Sequence, residues 1–111
     1  MKTETTRAGE FLVSEANGKR SRETITVTGG PYVAGQVLGK ITASGKYTAY
    51  ASGASNGTQT AAGVLYAAAD GSSADVTAVG VVRDAEIDEA LLTGDDADAI
   101  TDLAAIGIIA R

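Results

Sequence analysis

The side chains of this 111-residue chain that could do chemistry are mostly carboxylates. Asp84, Glu86, Asp88 and Glu89 sit close together, and Asp95, Asp96 and Asp98 follow shortly after. Two carboxylates held in different environments can serve as general acid and general base. A hydrolase built on this chain would use Asp84, Glu86 or Asp88. Oxygen clusters can also hold a cation, but Asp95-Asp96-Ala97-Asp98 lacks the ligand that closes a calcium loop at its twelfth position. Nothing in the spacing makes the first four carboxylates converge, so an acidic loop explains them with fewer assumptions. A helix start explains the second group, because Asp near a helix N-terminus meets the positive end of the dipole.

The residue types that are missing narrow the chemistry further. There is no His and no Cys. That removes imidazole bases, thiol chemistry, disulfides and nearly every zinc or copper site. Gly35-Gln36-Val37-Leu38-Gly39-Lys40 approximates a phosphate-binding loop. Its spacing is one residue short, and Ile41 stands where a Ser or Thr would meet Mg²⁺, so the phosphate reading is set aside. A formal charge of −5 opposes binding to nucleic acid, which takes clustered Lys and Arg. No apolar run reaches the roughly twenty residues that span a bilayer, and Met1-Lys2-Thr3-Glu4 opens no hydrophobic signal core. The expectation is a protein that is not an enzyme, with no cofactor, no metal, no direct nucleic-acid partner and no membrane partner.

Charge and core material point to association instead. Residues 1–23 carry a net +1 and residues 24–111 a net −6, a slightly basic leader on an acidic body. This predicts two parts: an extended N-terminal arm over 1–23 that docks separately, and a compact mainly-β domain over 24–111. The chain holds 21 Ala and 14 Gly with one Phe and no Trp. Burial stabilises by about 25 cal/mol per Å² of apolar surface, and Ala has little to bury. Such a core is thin, and sister copies or a larger partner would supply the missing contacts.

The elements that must position these side chains read mostly as strands. Ala61 to Asp70 and Ala74 to Arg83 are apolar runs flanking Asp70-Gly71-Ser72-Ser73, which predicts a hairpin. In its turn Asp70 bonds the backbone two residues on and Gly71 supplies positive φ. Both runs are apolar on both faces, which predicts cover on both sides. Thr24 to Thr28 alternates, with Ile25 and Val27 inward, until Gly29-Gly30-Pro31 ends it. Val33 to Ile41 is extended, with Gly35 and Gly39 marking bends or close approach. Lys46 to Ala51 is a short strand with Tyr47 and Tyr50 on opposite faces, and residues 52–58 form a loop. Asp84 to Leu92 fits either a strand through Ala85 and Ile87 or a helical turn through Ile87, Ala90 and Leu91, and strand then turn is the favoured reading. Thr93 caps a helix whose inner face is Ile100, Leu103, Ala104 and Gly107, and Ile106 to Ala110 makes a closing strand. Ahead of all this, Met1 to Glu10 is polar and aperiodic and predicts an unstructured segment. The apolar triplet Phe11-Leu12-Val13 follows, then an Asn17-Gly18 turn and the basic stretch Lys19-Arg20-Ser21-Arg22.

The order of these pieces resembles a known family. A Gly-rich run leads to Gly45-Lys46-Tyr47, and a Ser, Gly and Asn loop leads to Ala62-Gly63-Val64-Leu65 and Ala67-Ala68-Ala69-Asp70. A second strand ends in Arg83-Asp84, and a short helix ends the chain. From about Val33 onward this resembles the lambda-type bacteriophage head decoration proteins. The resemblance implies a mainly β fold, a β-clip-like small barrel or sandwich with one short C-terminal helix. It implies a homotrimer on the outer surface of an expanded phage head, at three-fold and quasi-three-fold sites. There it would stabilise the major capsid protein lattice against internal DNA pressure. It also implies an N-terminal arm that adds a strand to the capsid protein, and Phe11, Leu12 and Val13 are the residues expected to dock it. Val33-Ala34-Gly35-Gln36-Val37-Leu38-Gly39 has a second likeness, to the β-clip segments of sugar-acid and sialic-acid enzymes. That alternative, a small-ligand binding module, requires a pocket with convergent polar groups.

Overall fold

Alternating Thr, Ile and Val over residues 24–28 carry one of the two long strands of the fold. The computed structural model of the chain describes residues 11–15 and 21–111. The polar stretch Met1 to Glu10, the Asn17-Gly18 turn and Lys19-Arg20 lie outside the described residues. Strand β1 is Leu12–Glu15 and β2 is Arg22–Tyr32. Then come β3 (Val37–Lys40), β4 (Tyr47–Ala49), β5 (Ala61–Leu65) and β6 (Ala69–Val81). The chain closes with β7 (Ala85–Ile87), a 3-10 turn over Glu89–Leu91, helix α1 (Ala97–Ala105) and β8 (Ile108–Ala110). Five strands in the order β2-β4-β3-β5-β6 form a closed barrel, and β1-β7-β8 form a second, three-stranded sheet. The mainly β architecture with one short C-terminal helix is as the sequence predicts.

Two apolar clusters hold these layers together, and the period of two in each strand sorts residues between them. Ile25, Val27, Leu38, Tyr47 and Leu65, from four strands, fill the barrel. Val37, Val64 and Val81 point the other way and meet Phe11, Ala85, Ile87, Ala99, Leu103 and Ile108 from the small sheet and helix. Neighbours Val37 and Leu38, and neighbours Val64 and Leu65, therefore serve opposite clusters. Tyr47 and Tyr50 divide in the same way. Strand β5 is covered on both sides, as its apolar faces predict. Close approach of β3 to the 52–60 loop depends on Gly39, where a Cβ would lie 2.5 Å from Thr58 Cα.

The hairpin differs from its prediction. β5 and β6 do pair antiparallel, through Val64↔Val81 and Leu65↔Gly80, but the chain turns at residues 66–68. Asp70-Gly71-Ser72-Ser73 lies inside β6. Between the pairs Val27↔Val76 and Gly29↔Gly71, β2 advances two residues while β6 advances five, so Ser72 to Asp75 bulge out. Asp70 does accept from Ser72 N–H at 3.0 Å. Gly71 is required for space rather than for φ, since a Cβ there would lie 2.5 Å from Val27 O. The second run is also covered on one face only: Val76 and Ala78 are half-buried, while Thr77 and Val79 are exposed. Nor does Gly29-Gly30-Pro31 end its strand. Gly29 and Gly30 take φ of 82° and 123°, and β2 continues past two register shifts to Tyr32.

The helix begins three residues later than its prediction. Thr93 is tied into a parallel bridge with Gln36, its C=O accepting from Val37 N–H at 2.9 Å. The cap falls to Asp96, whose Oδ1 accepts from Ala99 N–H at 2.8 Å. This later start shifts the buried face to Ala99 and Leu103, with Ile100 half-buried and Ala104 exposed. Gly107, at φ 85°, lies past the helix end as its stop signal.

Candidate functional site

The three residues expected to dock a partner occupy three different environments. Phe11 is fully buried in the cluster shared by the small sheet, the helix and the barrel. Its C=O accepts from Asp88 N–H at 2.7 Å, which pins the start of β1 to the end of β7. Leu12 is half-buried against the same cluster and pairs in register with Ile87. Val13 sits at a register irregularity between Leu12↔Ile87 and Ser14↔Glu86, and is 57% exposed. A bulge of this kind re-aims one side chain. Here it turns Val13 outward from an otherwise anchored strand.

β1 is an edge strand, with β7 on one side and no further strand beside it among the described residues. On the opposite edge, β8 exposes Ile109 at 40%. Ile109 pairs with Glu86, and the Glu86 carboxylate is held by Arg111. The small sheet thus exposes one aliphatic side chain on each edge strand, Val13 on β1 and Ile109 on β8. Ile109 was legible as a strand residue, but its outward direction follows from pairing with β7. Sequence reasoning also missed the barrel exterior at Tyr66 and Val79. The second run reads as apolar on both faces, which hid the exposure of Val79.

The carboxylates do structural work. Asp88 accepts from Ala90 N–H at 3.0 Å and caps the 3-10 turn. Asp84 takes a left-handed φ of 49° with its Oδ1 packed closely against Gly107. Asp102 accepts from Ala61 N–H at 3.0 Å, tying the helix to β5. Tyr50 donates to Asp96 at 2.9 Å. Burial, then this bond, then the charges of Asp96, Asp98 and Asp102 push the Tyr50 pKa up to about 12. Asp75 lies 2.5 Å from Lys46. That hydrogen bond, with one from Thr28, holds its carboxyl below the usual range. Among the described residues no group of three or more acids could hold a metal ion. The segment with a ligand-binding likeness is core: Ala34 to Gly39 are buried, and Gln36 Nε2 donates to Thr93 O and Val37 O of its own chain.

A closed five-stranded barrel joined to a three-stranded sheet and one short helix defines a small, mainly β protein. Comparison with known families is more specific. The model of the bacteriophage lambda head decoration protein D family matches residues 1–108, and the chain belongs to that family. It is a head decoration protein, a component of the virion on the surface of the phage head. No curated protein matches it.

Proposed function

We propose that the chain binds as a homotrimer at the three-fold and quasi-three-fold positions of an expanded head and stabilises the capsid lattice. Its N-terminal arm adds a strand to the major capsid protein, with β1 as the root of that contact. The observation that carries this reading is that, among the described residues, no strand pairs with the outer edge of β1, where Val13 is turned outward. An exposed edge offers backbone N–H and C=O groups for pairing with another chain. Phe11 contributes as an anchor, fixing in the body the point from which the polar stretch Met1 to Glu10 departs. Val13 contributes the side-chain contact.

The chain does no catalysis in this role. Binding only the assembled lattice stabilises it by mass action, and three arms on one trimer add avidity. Co-sedimentation with undecorated expanded heads tests the arm. Deleting residues 2–10 is expected to leave the melting temperature unchanged and abolish binding. If the shortened chain decorates heads as well as the full chain does, the arm has no such role.

A further inference from the structure

The two asparagines of the chain, Asn17 and Asn56, are both followed by glycine. Asn17 lies outside the described residues, and Asn56 stands in the loop between β4 and β5. An Asn-Gly pair carries its own reagents. The glycine N–H, unhindered by a Cβ, can lose its proton and attack the carbonyl carbon of the Asn side chain. A C–N bond forms, ammonia leaves, and a five-membered succinimide results. Water then opens the ring at either carbonyl, giving aspartate or isoaspartate. The only co-reactant is water, and nothing is oxidised or reduced.

The fold requires both members of this pair. Gly57 takes a φ of 108°, and a Cβ there would lie 2.5 Å from Lys40 O and 2.9 Å from Thr42 N. Packing against the end of β3 therefore demands glycine after Asn56. Asn56 in turn shapes the loop. Its Oδ1 accepts from Thr58 N–H at 3.2 Å and from the Thr58 hydroxyl at 2.6 Å. Its backbone C=O accepts from Thr42 N–H at 2.9 Å.

These bonds also occupy both reacting groups. The Gly57 N–H, which would be the nucleophile, donates to Gln59 Oε1 at 2.8 Å. Thr58 fixes the carbonyl under attack, and Thr42 holds the peptide plane between Asn56 and Gly57. Turning that plane onto the side chain breaks them. Asn56 and Gln59 are exposed, so water can reach the ring and ammonia can leave. We propose that Asn56 is a site of succinimide-forming modification, and that the Gln59 side chain holds it closed in the folded chain. Isoaspartate there adds a methylene to the main chain, where Gly57 has no room for a Cβ, and so loosens the loop from β3.

Incubation of the full chain at mildly alkaline pH tests this. The readout is mass spectrometry of the tryptic peptide 47–83, which contains Asn56 and not Asn17. Fragmentation places the change from amide to carboxyl at Asn56. The unaltered chain in urea is expected to convert faster than the folded chain, with isoaspartate among the products. Gln59→Ala is expected to keep the circular dichroism and melting temperature of the unaltered chain. It is expected to convert Asn56 about fivefold faster, the factor that one hydrogen bond of ordinary net strength supplies. Gln59→Glu keeps an acceptor and is expected to stay slow. If Asn56 keeps its amide in urea, there is no such site. If the folded chain converts as fast as the unfolded one, or folded Gln59→Ala no faster than the unaltered chain, the closing role of Gln59 is overturned.

Discussion

The Tyr50 hydroxyl donates to the same Asp96 carboxylate that caps helix α1, at 2.9 Å from Oδ1, while Oδ1 accepts from Ala99 N–H at 2.8 Å. One carboxylate therefore joins the loop after β4 to the helix start. Asp96→Ala removes both bonds and is expected to cost about 1 kcal/mol or more, the usual loss for a helix cap. Tyr50→Phe removes one and costs less. Urea unfolding of both variants ranks them.

The same pair sets an alkaline limit. The Tyr50 pKa is raised from the ordinary 10.0 to about 12. The folded chain keeps a proton that the unfolded chain releases, so this contribution is fully present below pH 10 and fades as pH rises toward 12. Thermal melts across that window are expected to show a falling melting temperature, with a shallower slope in Tyr50→Phe.

Asp75 gives the opposite sign at low pH. Its carboxyl is held below the ordinary 3.8 by hydrogen bonds from Lys46 and Thr28. Its contribution is present above that value and is lost as pH falls through the depressed one. Asp75→Asn is expected to flatten the acid end of the stability profile, and the same melts check it.

Phe11 and Val13 are expected to separate folding from binding. Phe11 is fully buried, so Phe11→Ala should cost about 3–5 kcal/mol by opening a cavity. Val13 is exposed, and Val13→Lys should change stability by about 0.5 kcal/mol at most while weakening head binding. Denaturant curves and head co-sedimentation, run side by side, distinguish the two.

Gly39→Ala is expected to destabilise by about 1–3 kcal/mol through overpacking. A Cβ there meets Thr58 Cα, O and Cβ at 2.5, 2.7 and 2.8 Å, all within one loop that cannot retreat from β3 without breaking its contacts. Its melting temperature, compared with that of Gly53→Ala, isolates the effect, because a Cβ at Gly53 meets nothing within 4 Å.

Residue order alone determined the strands whose pattern is local. Ile25 and Val27 point inward because alternation along a strand needs no knowledge of its neighbours, and the Ala85–Ile87 strand and closing β8 follow likewise. The ban on thiol and imidazole chemistry was also legible, since it depends on composition. Tertiary structure decided the rest. Thr93 lost the helix cap to Asp96 because Gln36, distant in sequence, claimed its backbone. Asp70 to Ser73 fell inside β6, at the edge of the Ser72 to Asp75 bulge, because β2, rather than β5, is the partner of β6 there. Phe11 and Val13, two residues apart in one apolar triplet, went to core and solvent because a register slip against β7 turned one away. Such outcomes depend on pairing between distant segments, and no window along the chain contains that information.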